Sequence, residues 1–288
     1  MRFNYLEANS IEEAVSLLTK YDGKAKAIAG GTDLLVKIRD KVIKPEYIID
    51  IVPIPGLNYI KSAGKKGIAI GTLTSIRELE KSPELQKNFP IISQAAGQLG
   101  SVAIRNMATV GGNLCNAAPS AEMAPALIGL SATVKIVGSD GERVAPLEDF
   151  FTGPGTTILK TGELLVEIQV PPVPPNTTGV YLKHGIRGSI DLAIVGVAAV
   201  VTLEPKDGVC KDVKIVLGAV APTPMRAHEA EQVLKGKQIT DALIERCAEV
   251  ASNESRPITD VRASDWYRKE MVKVFTRQAI KEAMAKEG

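Results

Sequence analysis

The sequence predicts a mixed helix-and-strand protein, of the α/β or α+β class, built from two domains. Short helical and strand patterns alternate over the first third of the chain, two long strand patterns occupy residues 192–222, and three helical patterns follow. Before the long strands lies PPVPPNTTG, residues 171–179, whose prolines and polar residues are typical of a linker. We therefore expect the domain boundary in this segment.

The first third contains two predicted helices and two predicted strands. Residues 9–25 predict a helix capped by Ser10, because Glu13 stands at the capping-box position three residues later. KAKAIAGG (24–31) predicts a strand, TDLLVKIRD (32–40) a helix and KPEYIIDI (44–51) another strand. The connections between them are short, as in compact mixed domains.

The middle of the chain predicts helices first and strands afterwards. A strand with a turn is expected at 67–76, one helix at 74–85 and a longer helix in 90–106 that ends near Gly100. Small residues and glycines over 107–130 indicate a loop followed by a helix. A strand, an S-D-G turn and a return strand are expected over 132–151, and an alternating strand over 163–172.

After the linker, the pattern indicates a small sheet covered by helices. Two long strands over 192–222 are expected to join at a turn around Lys206 to Gly208. Helices are predicted at 225–236, 240–252 and 264–286.

Composition excludes several classes of function. The chain has 288 residues, with 35 basic and 33 acidic side chains, so its net charge of +2 indicates neither nucleic acid nor a membrane surface as a partner. No apolar run reaches the roughly 20 residues that a membrane span requires, and MRFNYLEANS lacks the apolar core of a secretory signal. We therefore expect a cytoplasmic protein without a membrane span.

Cysteines and histidines are too few and too scattered for a metal centre. The three cysteines, Cys115, Cys210 and Cys247, form no CxxC pair, which argues against a disulfide framework, a zinc site or an iron–sulfur cluster held by this chain alone. His184 and His228 are the only histidines and are expected to be surface or capping residues. No metal site is predicted.

Two glycine stretches carry the strongest functional signal. Adjacent glycines in AIAGGTDL and in TVGGNLCNAAPSAE let backbone N–H groups approach an anion closely. The second stretch adds the hydroxyl of Thr109 and the amides of Asn113 and Asn116. Either stretch alone is more often an ordinary turn, but the two together favour the pyrophosphate of a dinucleotide. Neither G-x-G-x-x-G nor G-K-[ST] is present, so an NAD-type Rossmann domain and a P-loop are poorly supported.

Five segments carry a resemblance to a known family. AGGTDLL (29–35) and ATVGGNLCNAAPSAE (108–122) resemble the two FAD-binding loops of the flavoprotein (medium) subunits of the xanthine dehydrogenase family, the molybdenum hydroxylases that include carbon monoxide dehydrogenase. YLKHGIRGSIDLAIV, LGAVAPTPMRAHEAE and RPITDVRASDWYRKEMV are similar to the C-terminal domain of those subunits. The resemblance therefore covers nearly the whole chain.

The resemblance implies an α+β fold. Residues 1–172 are expected to form an FAD-binding domain of the vanillyl-alcohol-oxidase (PCMH) type, with subdomains of about 1–58 and 59–172. Residues 177–288 are expected to form a small C-terminal α+β domain with a three-stranded sheet and a helical bundle. Substrate would be oxidised at a molybdenum cofactor on a large partner subunit. FAD would receive the electrons from 2Fe-2S clusters on a small partner subunit and pass them to NAD or another acceptor.

The resemblance also implies cofactor-binding residues, with no catalytic side chain because the flavin carries the redox chemistry. Main-chain donors of the first stretch would wrap the pyrophosphate, and the second stretch would continue the cradle. Glu122 stands where the family often has an aspartate on the adenosine ribose. Leu164 or Leu165 would pack near the flavin, and Lys183 would stabilise negative charge on the reduced ring. The expected residues are Ala29, Gly30, Gly31, Thr32, Asp33, Thr109, Gly112, Asn113, Cys115, Ala118, Glu122, Leu164, Leu165 and Lys183.

Simpler roles stand beside these. Without the resemblance, Lys183 would be a solvated lysine on a strand edge, Cys115 a packing residue, and Asp33 and Glu122 helix caps. Two other functions also remain open: a stand-alone FAD-dependent reductase or oxidase of the same fold, and a non-catalytic assembly module whose glycine turns are structural.

Overall fold

The first region combines a three-stranded parallel sheet with two short helices. The structure is a computed structural model that describes residues 2–187, 190–205 and 208–285. The strand order is β1-β3-β2. Ser10 caps the first helix by accepting from the Glu13 N–H, as its sequence predicted. The elements are β1 (Asn4–Glu7), α1 (Ile11–Lys20), β2 (Ala25–Ile28), α2 (Leu34–Arg39) and β3 (Tyr47–Asp50).

The second region places a helical cluster against a five-stranded antiparallel sheet of order β4-β5-β10-β6-β7. Short 3-10 turns lie at Gly64–Lys66 and Leu147–Asp149. The strands are β4 (Ile60–Ser62), β5 (Ile68–Gly71), β6 (Thr133–Gly138), β7 (Gly141–Pro146), β8 (Phe151–Gly153), β9 (Thr156–Thr157) and β10 (Leu164–Val170). The helices are α3 (Ile76–Lys81), α4 (Pro83–Asn88), α5 (Pro90–Gly97), α6 (Val102–Met107), α7 (Val110–Asn116) and α8 (Met123–Gly129).

Several predicted helices are divided or shifted. The single helix expected over 74–85 is two helices, because Ser82 ends α3 and caps α4, whose first residue is Pro83. The helix expected to end near Gly100 stops at Gly97, and α6 is separate, because Gly100 turns the chain with φ of +49°. The expected loop around the second glycine pair is also wrong in part, since both glycines lie inside α7.

The third region is an antiparallel sheet of order β11-β12-β13-β14 followed by helices. The two long strands predicted over 192–222 are present, and a further long strand precedes them. The sheet has four strands rather than the three that the resemblance implied, because Met225–Arg226 adds a two-residue edge strand, and the helix predicted from 225 begins at His228. Residues 177–179 belong to β11 rather than to the linker. In the predicted turn, residues 206 and 207 lie outside the described residues. The elements are β11 (Thr177–His184), β12 (Val195–Leu203), β13 (Cys210–Gly218), β14 (Met225–Arg226), α9 (His228–Leu234), α10 (Asp241–Glu254) and α11 (Asp265–Ala285).

Buried apolar side chains connect the three regions. Leu164 and Val166 of β10 share a cluster with Ala14 of α1 and Ile49 of β3, which joins the first sheet to the second. The C-terminal sheet packs between α5 and α8 on one side and α11 on the other. Tyr181 of this sheet belongs to the main cluster of the second region. The linker therefore separates two sequence segments that share one packed core.

The described residues contain neither a helix suited to a bilayer nor a cluster of metal ligands. Among the residues that the structure describes, no helix combines the length and apolarity needed to cross a bilayer. The same residues contain no group of three or more His, Cys, Asp or Glu side chains placed to hold a metal ion.

Candidate functional site

A cavity of about 1190 Å³ lies where the two glycine stretches meet. It is bounded by the loop after β2, the α7 segment, the start of β10 and the segments around 186–187 and 190–192. Of the residues expected in the site, Lys183 is absent from its lining. Those that line it are Ala29, Gly30, Gly31, Thr32, Asp33, Thr109, Gly112, Asn113, Cys115, Ala118, Glu122, Leu164 and Leu165.

The first glycine of the first stretch is required by a backbone contact. A Cβ at Gly30 would lie 1.8 Å from the carbonyl oxygen of Met107, so any side chain there would push the two glycine stretches apart. Gly31 has φ of +69°, a conformation that favours glycine. Gly30 therefore approaches protein backbone, and the lack of a side chain at this position lets the two glycine stretches meet.

The same stretch carries unpaired main-chain donors. Within the described residues, the backbone N–H groups of Gly30, Gly31, Thr32 and Asp33 donate to no protein acceptor. The Asp33 side chain does not cap α2 either. Because all four residues line the cavity, these donors are available to an anion bound there.

The glycine pair of the second stretch has its main-chain donors already paired. The Gly112 N–H donates to the Thr109 hydroxyl oxygen at 3.1 Å, and the Asn113 N–H donates to the Thr109 carbonyl oxygen. Gly111 donates to the Thr72 carbonyl oxygen, and a Cβ on Gly111 would collide with Thr72. The second glycine pair therefore adds no free donor to the expected cradle. Farther along this stretch, the N–H groups of Ala118 and Ser120 donate to no acceptor among the described residues, and both residues line the cavity.

Two asparagines add side-chain chemistry to the second stretch. The side-chain oxygen of Asn113 is buried and has no hydrogen-bond partner among the described residues. The side-chain oxygen of Asn116 accepts from the Lys37 ammonium at 2.5 Å, which links α7 to α2. Lys37, which also lines the cavity, is not among the residues expected from the sequence. Its position one helical turn after Asp33 was the signal that could have identified it.

Two acidic residues of the cavity have perturbed pKa values. Burial raises the pKa of Asp33, opposed by the positive charge of Lys37. Burial also raises the pKa of Glu122, opposed by Lys183. Neither side chain makes a helix-capping hydrogen bond, so the capping roles considered for both are not observed.

Lys183 lies behind the cavity wall. Its side chain is 7% exposed, and its ammonium donates to Glu122 Oε1 at 2.9 Å and to the carbonyl oxygens of Gln98 and Asp191. The Asp191 carboxylate is 3.7 Å away. Lys183 is thus neither a solvated edge lysine nor a cavity residue, because its charge is shared between two acids that do line the cavity.

The remaining candidates have simpler environments. Burial raises the pKa of the Cys115 thiol to about 12, so this half-buried cysteine is neutral at pH 7. Leu164 and Leu165 give the cavity an apolar side at the start of β10. His184 is hydrogen-bonded with the Tyr267 hydroxyl at 3.0 Å, and His228 lies at the surface against Glu148.

The groups that line the cavity match the chemistry of the parts of FAD. Unpaired N–H groups beside Lys37 suit a pyrophosphate, because fixed dipoles and a cation both favour its negative charge. The unpartnered Asn113 oxygen suits a hydroxyl or amine donor. The leucines at the start of β10 suit an aromatic ring.

Comparisons with known proteins agree with this chemistry. Residues 1–173 match the profile of the family described as the FAD binding domain in molybdopterin dehydrogenase. Residues 181–283 match that of the CO dehydrogenase flavoprotein C-terminal domain. The chain belongs to this flavoprotein family.

Relatives match over nearly their full length. The chain is 36% identical over 280 residues to the glyceraldehyde dehydrogenase medium chain of Sulfolobus acidocaldarius, covering 97% of this chain and 98% of the relative. It is 31% identical over 285 residues to the carbon monoxide dehydrogenase medium chain of Hydrogenophaga pseudoflava, covering 99% and 98%.

Solved structures share the fold. Carbon monoxide dehydrogenase from Hydrogenophaga pseudoflava superposes with a TM-score of 0.95 at 32% identity, covering 99% of this chain and 98% of that one. Quinoline 2-oxidoreductase from Pseudomonas putida gives 0.92 at 28% identity, covering 100% and 98%. The expected α+β flavoprotein fold is confirmed. The chain is an FAD-binding medium subunit of the molybdenum hydroxylase family and an oxidoreductase component.

Proposed function

We propose that this chain binds FAD in the cavity and transfers electrons from 2Fe-2S clusters of a small partner subunit to NAD or another acceptor. In this proposal a large partner subunit carries the molybdenum cofactor. The observation that carries the proposal is the row of four unpaired N–H groups, from Gly30 to Asp33, at the junction of the two glycine stretches. Relatives named as medium chains of carbon monoxide dehydrogenases support it.

In this proposal each group of cavity residues has its own role. Main-chain donors of residues 30–33 would bind the pyrophosphate, with Lys37 as the nearby cation. Asn113 would accept from the cofactor, and Leu164 and Leu165 would pack against its ring. FAD, when bound, supplies the redox chemistry, so the protein contributes binding, orientation and electrostatics.

Partner subunits fit the scarcity of metal ligands in this chain. Its three cysteines are separate in sequence, and no metal-ligand group occurs in the described part of the chain. Clusters and molybdenum cofactor would therefore reside on other chains. We also propose a cytoplasmic location and domain limits of 1–172 and 177–288, the first divided near 58; the extents of the two family profiles support the limit between the domains.

Replacing Asn113 by leucine tests the binding site. Asn113→Leu removes a buried oxygen that has no partner in the apoprotein, so the free energy of unfolding without FAD should stay equal or rise. The dissociation constant for FAD should increase about tenfold, as expected for a lost hydrogen bond of roughly 1.4 kcal/mol. Fluorescence titration of the apoprotein with FAD measures it.

Asn253→Leu is the matched control, because Asn253 is exposed on α10 away from the cavity. Equal FAD affinity in Asn113→Leu and Asn253→Leu would contradict the assignment.

Co-expression with the subunits encoded beside this chain tests the assembly. A complex should purify with FAD, 2Fe-2S and molybdenum signals, and its reduced flavin should be reoxidised by the acceptor that the enzyme uses. NAD is tried first, followed by a quinone and oxygen. Repeated isolation of a lone FAD-containing chain would favour the stand-alone enzyme instead.

A further inference from the structure

Two exposed arginines lie at the edge of the cavity, apart from the residues expected to bind FAD. Arg187 belongs to the connection between β11 and β12, and Arg262 to the segment before α11. Both line the cavity. The unpaired donors of residues 30–33 already have a cation beside them in Lys37, so these two charges are additional to the pyrophosphate site. We call Arg187 and Arg262 the arginine rim.

An aspartate two residues earlier orients Arg262. Asp260 Oδ2 accepts from Arg262 Nη1 at 2.9 Å, and Asp260 Oδ1 accepts from the Arg262 N–H at 2.9 Å and from Arg268 Nη2 at 2.8 Å. Arg268 is buried and also donates to the carbonyl oxygens of Ile194 and Ala219. One carboxylate is therefore shared by two guanidinium groups. The Nε and Nη2 groups of Arg262 have no acceptor among the described residues.

Arg187 is held by its own turn. Its backbone N–H donates to Asp191 Oδ2 at 2.8 Å, and its Nη2 donates to the Ile190 carbonyl oxygen at 2.7 Å. A Cβ on Gly185 would collide with the Asp191 carboxylate, so this turn is tightly closed. The Asp191 carboxylate lies 3.7 Å from the Lys183 ammonium, whereas the Arg187 guanidinium forms no ion pair within the described part of the chain. Its charge is therefore available to a bound anion.

The two arginines adjoin the same connection. Arg268, which anchors the segment of Arg262, donates to the Ile194 carbonyl oxygen, and the Ile194 N–H donates to the His184 carbonyl oxygen at 2.8 Å. His184 and Ile194 are the two ends of the connection that carries Arg187. Three exposed apolar side chains of this connection also line the cavity: Ile186, Ile190 and Leu192. The arginine rim therefore combines guanidinium groups with apolar surface.

Positive charge exceeds negative charge at this end of the cavity. The charged side chains in these contacts are four cations and three acids: Lys183, Arg187, Arg262 and Arg268, and Glu122, Asp191 and Asp260. Guanidinium groups suit phosphate because they can donate two parallel hydrogen bonds to it. Apolar side chains beside them suit a planar ring.

We propose that the arginine rim binds a phosphate-bearing electron acceptor beside the bound flavin. The proposal rests on the proposed function, which names NAD or another molecule as the acceptor. A nucleotide such as NAD fits the rim better than a neutral quinone or oxygen, because it offers negative groups to the two guanidiniums. Its ring would pack on the apolar side chains of the connection.

Calorimetry with ADP tests binding on the FAD-loaded chain, in which the cofactor site is filled. ADP carries a diphosphate group and no redox chemistry, so this measurement does not depend on activity. The dissociation constant for ADP should increase about tenfold in Arg262→Gln, as expected for a lost charge-assisted contact. Arg262→Lys keeps the charge and should lose less affinity. A wild-type chain that binds FAD but no ADP would overturn the proposal.

Two redox probes of opposite charge give a second test on the same chain after photoreduction of its flavin. Ferricyanide, an anion, should reoxidise Arg262→Gln about threefold to tenfold more slowly than wild type at low salt. The difference should shrink at about 1 M salt, which screens the charge. Hexaammineruthenium(III), a cation, should react equally fast or faster. Each probe takes one electron, so two are reduced per flavin.

Matched variants show whether the effect belongs to the rim. Arg187→Gln should change both measurements in the same direction as Arg262→Gln. Arg246→Gln removes an exposed arginine of α10 that does not line the cavity, and it should leave both measurements at their wild-type values. The unfolding midpoint of Arg262→Gln should stay near wild type, because Asp260 keeps the bond from Arg268.

The outcomes separate this proposal from the proposed function. A wild-type chain that binds no FAD would refute the function itself. Loss of FAD from Arg262→Gln would make this arginine a cofactor ligand and overturn the acceptor site. Equal slowing with both redox probes, or equal ADP affinity in Arg262→Gln and Arg246→Gln, would also overturn the acceptor site while leaving the proposed function intact.

Discussion

The two glycine stretches look alike in sequence but have different structural roles. In the first, residues 30–33 keep four main-chain donors unpaired beside Lys37. In the second, Thr109 caps α7, and the donors of Gly111 and Gly112 are paired within the protein. A glycine pair therefore signals close backbone approach, but whether a ligand or the protein itself is approached depends on where the N–H groups point.

The glycines that matter most for folding are the ones at which backbones meet. Gly30 contacts the Met107 carbonyl and Gly111 contacts Thr72, so each fastens one stretch to a neighbouring segment. Gly112 has only the Thr109 hydroxyl near its missing Cβ and is exposed toward the cavity. Gly30 and Gly111 are therefore the members of the two pairs that close contacts within the protein require.

Removing the Lys183 ammonium, which lies behind the second glycine stretch, should have the largest effect on the free energy of unfolding. Lys183→Met leaves Glu122 and Asp191 without their shared partner and should lower the free energy of unfolding by about 3–5 kcal/mol. Urea unfolding of the apoprotein measures it. Lys24→Met, in an exposed pair with Glu46, is the control and should cost less than about 1 kcal/mol.

The loss of unfolding free energy in Lys183→Met should depend on pH. Burial raises the pKa of Glu122 above its ordinary value of 4.5, so the folded state retains a proton that the unfolded state has released, and stability falls as pH rises through that interval. Loss of Lys183 raises this pKa further. The difference from wild type should therefore be greatest near pH 8 and shrink toward pH 5; a difference independent of pH would show that Glu122 charge is not involved.

Next in size is a methyl group at the junction of the two stretches. Gly30→Ala places a Cβ against the Met107 carbonyl oxygen and should destabilise the apoprotein by about 1–3 kcal/mol, with loss of FAD binding. Thermal unfolding and FAD titration report the two effects. Gly97→Ala, at a helical glycine with only Glu80 side-chain atoms at ordinary contact distance, should be neutral or stabilising. Equal stability of both variants would argue that the stretches are not fastened at Gly30.

The smallest expected change in stability concerns the helix caps: Thr109 caps α7 in the second stretch, whereas Asp33 does not cap α2 in the first. Thr109→Val removes the acceptor for the Gly112 N–H and should cost about 1 kcal/mol of apoprotein stability. Asp33→Asn removes no capping bond and should change stability by less than about 0.5 kcal/mol. Chemical denaturation of the two variants side by side measures the difference, and a larger loss in Asp33→Asn would reverse the comparison.

The sequence predicted which residues line the cavity better than it predicted the contacts of their side chains. Thirteen of the fourteen residues that the family resemblance implied line one cavity, and most of them belong to the two glycine stretches. Lys183 was the exception, and no local pattern shows that its ammonium is enclosed by Glu122 and Asp191, which are 61 and 8 residues away. Lys37 was overlooked because its partner, Asn116, is 79 residues distant.

The sequence by itself determined the family and some of the element boundaries. Ser10 with Glu13, the proline-rich linker and the paired glycines are short-range signals, and they fix helix starts, chain breaks and close backbone approach. Tertiary structure alone decided that the main-chain N–H groups of residues 30–33 stay unpaired, that Lys37 lines the cavity and that α6 buries Arg105. Those outcomes depend on contacts between segments distant in the chain, where burial and ion pairing outweigh local preference.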